Sequence, residues 1–428
     1  MNILLLGAGG REHALAWKIS QSTHCDRLWI APGNGGTLQY GTNINVGVND
    51  FEGIKSICTT EKIDMLVVGP EDPLVNGIYD FIKADPALQH IIVVGPSKKA
   101  AQLEGSKAFS KKFMQRQNIP TAGYQEFTDA NFDEGIKYLQ QHSLPIVLKA
   151  DGLAAGKGVV ICQGHEEALQ VFAEMIKNRQ FGEASSKVVV EEFLDGIEVS
   201  VFVITDGKDY KIIGHAKDYK RIGEGDQGLN TGGMGCVSPV PFMDEAFMTK
   251  VIGTIIEPTI AGLHKENLEY YGFVFFGLIN VKNEPFVIEY NCRMGDPETE
   301  VVLPRLKNDL VELFISMHKN ELDNVLVQYD ERCAVTVMAV SGGYPGDYQK
   351  NIKIEIFEDN SIKEDSYVFH AGTKLDEAGN LVTNGGRVIT ATALRDTIPN
   401  AAAAATKVID SIHFDGKYYR KDIGYEFE

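Results

Sequence analysis

Within its first hundred residues the chain carries four short apolar runs, at 3–6, 28–30, 65–68 and 91–94, and each stops at a glycine turn. The turns read Gly7-Ala8-Gly9-Gly10, Ala31-Pro32-Gly33-Asn34, Gly69-Pro70-Glu71-Asp72 and Gly95-Pro96-Ser97. Helix-length segments separate the runs. A run that is apolar throughout, rather than on alternate residues, belongs to a parallel sheet covered on both faces. Such sheets bind ligands beyond the carboxyl ends of their strands, where these four turns would gather. Residues 1–104 are therefore expected to form a parallel α/β domain with a ligand site along that edge.

The remaining length changes character twice. At roughly 150 residues per domain, 428 residues leave room for about three domains. From Gly105 the pattern is helical until Pro120. Runs 145–150 and 158–161 then read as strands joined by Asp151-Gly152-Leu153-Ala154-Ala155-Gly156-Lys157. A helix over 166–177 and a strand over 187–192 follow, then strands near 197–205, 210–216, 272–281 and 285–290, interrupted by a glycine-rich loop over 223–235. Mixed strands with few long helices predict an α+β nucleotide-binding unit. From about 328 the strands 335–340, 367–371 and 387–391, a turn at 342–346 and a helix over 401–412 predict a small mixed α+β domain.

Composition excludes several classes. With 41 Lys+Arg against 59 Asp+Glu the net charge is −18, which repels phosphate backbones and argues against nucleic acid as a partner. Six dispersed cysteines form no C-x-x-C pair and the histidines form no H-E-x-x-H, so neither a disulfide framework nor a zinc site is expected. The first residues read as a buried strand rather than a secretory leader, and no apolar run approaches the ~18 residues of a membrane span. A reduced, cytoplasmic protein without a membrane partner is expected.

Four motifs carry chemistry. Gly7-Ala8-Gly9-Gly10-Arg11-Glu12 would open a helix and aim backbone N–H groups at an anion. It fails the dinucleotide fingerprint, because Glu12 stands where the third glycine belongs, and this disfavours an NAD-dependent oxidoreductase. Residues 152–158 imitate a Walker loop through Gly156-Lys157 but lack its Ser or Thr; they suit a glycine-rich hairpin over a triphosphate, with Lys149 and Lys157 as cations, or a solvated surface hairpin. Glu191-Glu192-Phe193-Leu194 is a solvated strand end or the rim of a nucleotide cleft, where one carboxylate accepts the adenine amino group and Glu198 the ribose hydroxyls. In Phe286-Val287-Ile288-Glu289-Tyr290-Asn291-Cys292-Arg293, strand alternation puts Glu289, Asn291 and Arg293 on one face and Ile288 and Tyr290 on the other. A carboxylate, an amide and a guanidinium together suit Mg²⁺-bound phosphates and a transferring group better than a bare polar face. Lys374 and Arg387 each place one cation beside glycine, in Gly372-Thr373-Lys374 and Gly385-Gly386-Arg387.

Gly105-Ser106-Lys107-Ala108-Phe109, the 149–158 run, Glu191-Glu192-Phe193-Leu194 and Asn230-Thr231-Gly232-Gly233-Met234-Gly235 resemble the ATP-grasp superfamily. With Arg293-Met294-Gly295-Asp296-Pro297-Glu298, Gly9-Gly10-Arg11-Glu12-His13 and Gly69-Pro70-Glu71, nearly the whole chain resembles the phosphoribosylamine–glycine ligase (glycinamide ribonucleotide synthetase) family. Leu229 stands where that family carries a proline. The resemblance implies a central ATP-grasp domain over 105–327 with a mobile lid at about 121–193, and a C-terminal domain over 328–428. It implies ATP-dependent joining of glycine to 5-phosphoribosylamine in purine synthesis through glycyl phosphate. Arg293, Asp218 and Asp296 are implied as catalytic, with Asp218 toward the glycine ammonium. Lys107, Lys149, Lys157, Glu191, Leu194 and Glu198 would bind ATP, and Glu289 and Asn291 would hold Mg²⁺ (or Mn²⁺). Gly9, Gly10, Asn34, Glu71, Lys374 and Arg387 would bind phosphoribosylamine. Small-molecule substrates and a monomer or weak dimer are implied. Competing readings are another ATP-grasp carboxylate–amine ligase or carboxylase of purine metabolism, and a catalytically dead nucleotide-binding regulator.

Overall fold

The computed structural model describes residues 1–152, 158–180, 182–356 and 365–427. At the amino end, five parallel strands run in the order Thr42–Asn43, Arg27–Pro32, Asn2–Gly7, Met65–Val68, Ile92–Val94. The unalternating apolar runs are explained by what covers each face. Leu4, Leu6, Leu66 and Val68 pack into one hydrophobic cluster with Ile54, Leu74 and Ile78, whereas Ile3, Leu5, Met65 and Val67 pack into another with Leu15, Ile19 and Phe314.

The centre of the molecule is an antiparallel sheet of eight strands: Glu284–Asn291, Gly272–Val281, Ile197–Thr205, Tyr210–Asp218, Gly235–Ser238, Cys333–Val340, Arg387–Arg395 and Ser366–His370. Gly235–Ser238 pairs with Tyr210–Asp218 on one side and Cys333–Val340 on the other, so the strands beyond residue 328 continue the central sheet. The glycine-rich loop expected over 223–235 contains a small hairpin, Arg221–Gly223 with Gln227–Asn230.

A separate four-stranded antiparallel sheet, ordered Tyr124–Thr128, Lys187–Glu192, Ile146–Ala150, Val159–Cys162, carries the helices Phe132–Gln141 and His165–Lys177. It has its own core, in which Phe127, Leu148, Phe172 and Val190 are buried. Lys157, expected to contact phosphate, lies outside the described residues.

Two local features differ from the sequence expectation. Opposite Gly277 and Leu278 the edge strand skips a partner at Ile288, a β-bulge. Val287 and Tyr290 therefore face the core, while Ile288 joins Glu289 and Asn291 on the cleft side. Simple alternation had put Ile288 with Tyr290. The helical stretch Glu245–Lys265 is, by length and composition, long and apolar enough to cross a bilayer, which inspection of apolar runs did not anticipate. Its Phe247, Val251, Ile255, Ile256, Ile260 and Leu263 are buried in the core, which accounts for its apolar character here.

Candidate active site

The edge strand Glu284–Asn291 separates two cavities. Glu289, Asn291, Arg293 and Glu71 line both. The first cavity lies against the four-stranded sheet and is faced by Lys107, Lys111, Lys149 and Glu191. Ser106 caps the helix Lys107–Arg116, accepting from Phe109 N, and this starts the helix at the lysine that faces the cavity. Glu191 is almost wholly buried, and its Oε2 stands 2.9 Å from Lys149 Nζ and 3.1 Å from Lys111 Nζ. Burial would raise the Glu191 carboxyl, but the two lysines outweigh it and hold it below the usual carboxylate range. Its Oε1 has no hydrogen-bond partner among the described residues. Lys111 is pushed down to about 8 by burial, partly offset by Glu191. Lys107 makes no ion pair among the described residues and reaches only Gly152 O, at 3.4 Å; burial lowers its pKa, against Glu289.

Arg293 is gripped from the far side. Its Nη2 lies 2.9 Å from Glu104 Oε1, and its Nε lies 3.3 Å from Glu71 Oε2 without the alignment of a hydrogen bond. The Glu104 carboxylate also accepts from Cys292 N at 2.7 Å, which ties the residue before Arg293 to the same carboxylate. Burial raises Glu71, and Arg293 and Arg11 more than reverse it.

Asp218, Lys220, Glu298, Asp296 and Arg387 face the second cavity, with the turn Asn230-Thr231-Gly232. Burial first, and Asp218 second, push Glu298 up to about 7, while Asp218 is itself raised by burial. Two close carboxylates that resist ionising together make a strong site for a cation such as an ammonium group. Asp296 bridges lobes: Oδ2 accepts from Arg11 N at 3.1 Å and Oδ1 lies 3.0 Å from Arg387 Nη2. Arg387 also donates to the carbonyls of Gly232 (2.7 Å) and Asp296 (2.6 Å).

The structure distributes the remaining expected residues unevenly. Gly9 and Gly10 precede and open the helix Gly10–Ile19, and each leaves room for a carboxylate. A Cβ on Gly9 would stand 2.8 Å from Asp296 Oδ2, and one on Gly10 2.2 Å from Glu300 Oε1. The Gly9 amide already donates to Glu12 Oε2 at 2.6 Å. Asn34 spends its side chain on the fold: Nδ2 donates to Ala8 O and His370 O, and Oδ1 accepts from Gly36 N and Thr37 N. Lys374 is exposed on the strand Thr373–Leu375, near the Gly33–Gly36 turn, whose Gly35 N donates to Thr373 O. Leu194 and Glu198 line neither cavity; Glu198 instead accepts from Lys220 Nζ.

Residues that sequence reasoning passed over include Lys111, Glu104, Lys220 and Glu298. Lys111 was within reach, since it lies four residues after Lys107 on one helix face. Glu104 and Lys220 carry no local signal, because their partners come from distant elements.

A lysine-lined cleft between a small antiparallel sheet and the edge of a larger one, walled by a Glu-x-Asn-x-Arg strand end, defines the ATP-grasp class of fold and site. Three family models cover the chain: Phosphoribosylglycinamide synthetase, N domain, over residues 1–104; its ATP-grasp (A) domain over 105–299; and its C domain over 334–426. The chain belongs to the phosphoribosylglycinamide synthetase family. Similar relatives include the phosphoribosylamine–glycine ligases of Haemophilus influenzae and Escherichia coli O157:H7, each 44% identical over 99% of this chain and 98% of theirs. The crystal structure of phosphoribosylamine–glycine ligase from Thermotoga maritima superposes with a TM-score of 0.85 at 33% identity, covering 99% of this chain and 100% of that one. Biotin carboxylase from Campylobacter jejuni, in a β,γ-ATP complex, shares the fold at a TM-score of 0.74 and 16% identity, over 99% of this chain and 94% of that one.

Proposed function

We propose that the protein joins glycine to 5-phosphoribosylamine at the expense of ATP, through glycyl phosphate, giving glycinamide ribonucleotide, ADP and phosphate in cytoplasmic purine synthesis. The observation that carries this reading is that Glu289, Asn291 and Arg293 face two cavities at once. A wall common to a nucleotide cleft and an acceptor cleft is what phosphoryl transfer to a carboxylate requires.

In this reading the first cavity takes ATP. Lys107 and Lys149 meet its phosphates, joined by Lys157, and the free Oε1 of Glu191 accepts the adenine amino group. Leu194 and Glu198, expected at the adenosine end, stand off the wall of this cavity, and Glu198 pairs with Lys220 instead. Glu289 and Asn291 offer oxygens to Mg²⁺, for which Mn²⁺ could substitute. Asn291 Nδ2 is buried without a partner among the described residues and is left to donate to a phosphate oxygen, while the Oδ1 of the same amide is a ligand type that suits a hard cation. The ion would neutralise phosphate oxygens as charge builds. In the second cavity, Asp218 holds the glycine ammonium and Arg293 steadies the carboxylate beside the transferring phosphoryl group. Glycine's carboxylate oxygen attacks the γ-phosphorus and ADP leaves; the ribosylamine nitrogen then attacks the acyl carbon and phosphate leaves. Asp296, held ionised by Arg387 and Arg11, keeps the Gly9-Gly10 turn and Arg387 aligned for phosphoribosylamine, with Asn34, Glu71 and Lys374 around it. The division into 1–104, 105–327 and 328–428, with a mobile lid over about 121–193, belongs to the same reading.

The test is phosphate release that depends on both glycine and ribosylamine generated in place. Arg293→Ala should lower kcat by at least about 100-fold with a much smaller change in nucleotide affinity. Glu289→Ala should raise the Mg²⁺ concentration needed for half activity. Wild-type turnover by the arginine variant, or an unchanged metal requirement in the glutamate variant, removes that residue from the mechanism.

A further inference from the structure

The hairpin formed by Arg221–Gly223 and Gln227–Asn230 runs straight into the second cavity at both ends. Lys220 precedes it and Thr231 follows it, and both line that cavity. Thr231 N and Oγ1 donate to Lys220 O at 2.7 and 2.8 Å, so the two ends move together. Lys220 is in turn two residues from Asp218.

A two-stranded hairpin of this size is marginal in water by itself. What holds it is the carboxyl-terminal segment. Arg420, fully buried, puts Nη1 2.6 Å from Asp226 Oδ1 in the hairpin turn and 3.2 Å from the Arg221 carbonyl. Its Nε and Nη2 engage Asp422 in a fork, each at 2.8 Å. The same Asp422 accepts from Gly225 N at 2.7 Å. Tyr418 OH donates to Ile222 O at 3.0 Å, and Tyr425 OH to Asp226 Oδ2 at 3.2 Å. Below them the Arg420 guanidinium lies 5.3 Å from the Tyr219 ring centre, and Tyr219 OH donates to Glu426 at 2.7 Å. The turn of the hairpin is thus tied to residues 418–426, while its base is held by the Lys220–Glu198 ion pair and by Tyr344 and Arg387 at Gly232.

We infer that Arg420 is a positioning residue for the amino-acid side of the reaction: through Asp226 and Arg221 it sets the hairpin, and the hairpin sets Lys220 and Asp218. A planar, bidentate donor is needed because one side chain must serve two carboxylates and a carbonyl at once. This inference rests on the assignment of glycine to the Asp218 end of the cavity.

Three variants separate the inference from that assignment. Arg420→Lys keeps the charge but loses the fork. Asp226→Asn keeps a residue type that accepts the left-handed backbone there, at φ +54°, and loses the ion pair on a partly exposed side chain. Asp218→Asn removes the proposed ammonium contact directly. All three should raise the KM for glycine by about tenfold, with the KM for ATP within about twofold of wild type. The first two should lose amide exchange protection over 221–231, with melting temperatures within about 3 °C of wild type. If Asp218→Asn raises the glycine KM while Arg420→Lys and Asp226→Asn leave it alone, the tail has only a structural role and the inference fails. A parallel rise in the KM for ATP in the first two variants also overturns it. If Asp218→Asn leaves the glycine KM unchanged, the assignment of glycine fails, and the positioning claim fails with it.

Discussion

Glu300 lies in the first turn of the helix Thr299–Arg305 with its side chain fully buried and neither carboxyl oxygen partnered among the described residues. Burial, reinforced by Asp296, pushes its pKa well above the ordinary carboxylate value of 4.5. The folded protein therefore keeps a proton that the unfolded chain releases above that value. The contribution of Glu300 to stability must then fall as pH rises past about 4.5, at about 1.4 kcal/mol per pH unit while the folded group stays protonated. Glu300→Gln keeps the shape and removes the titration. The variant should melt no lower than wild type at pH 5 and progressively higher toward pH 8; a constant difference across that range would show that Glu300 is ionised in the folded state. Nothing in the sequence marks this residue, since an acid in the first turn of a helix reads as an ordinary dipole partner. The opposite holds for Glu289, Asn291 and Arg293, where three polar residues interrupt an apolar strand and cannot be buried without purpose. The candidate site was legible where its residues share one strand and hidden where, as at Glu104, Lys220 and Glu300, the environment is assembled from distant segments.

Among elements, the strands were the most readable. The expected 197–205 and 272–281 coincide with Ile197–Thr205 and Gly272–Val281, because β-branched and aromatic runs bounded by turns leave little choice. The bulge at Ile288 was not readable, because the extra residue is set by pairing with Gly277–Leu278 and not by the strand's own sequence. The four-stranded module shows what an element-level core can do alone. Phe172 is fully buried there, stacks on Phe132 at 5.2 Å, meets Phe127 edge-on at 5.8 Å and fills the space that Gly135 leaves, where a Cβ would stand 2.4 Å from its ring. Phe172→Ala should remove about 3–5 kcal/mol from this small core. Because the module's core is separate, the loss should be local. Amide protection over 124–192 should collapse and ATP should bind more weakly, while the parallel sheet at the amino end keeps its protection. Uniform weakening of the whole chain would instead make the module part of one cooperative unit.

At the scale of the molecule, the amino-terminal and carboxyl-terminal lobes are joined by polar groups buried at their contact. Asn34 Nδ2 donates to His370 O, and His370 N donates to His13 Nδ1 at 2.6 Å, with the two imidazole rings 5.3 Å apart. Burial pushes His13 down to about 3, aided by His370, and burial pushes His370 down to about 4. Both are therefore neutral in the folded protein at pH values where the unfolded chain has begun to protonate them, near 6.5. Their contribution to stability is complete above about pH 6.5 and is lost as pH falls toward 3–4, each at about 1.4 kcal/mol per pH unit through the intervening range. Protonation of His13 would also turn the acceptor of the His370 N–H into a donor, so the same proton that destabilises the fold breaks the bond between lobes. His13→Asn leaves an amide oxygen to accept that bond and no group to titrate. Urea unfolding between pH 6.5 and 5 should give slopes of stability against pH that differ by one proton, the wild type losing that much more on acidification, whatever the variant's starting stability. Equal slopes would place the acid sensitivity elsewhere, with His215, which burial and Arg305 also lower to about 4 inside the central sheet, as the next group to replace.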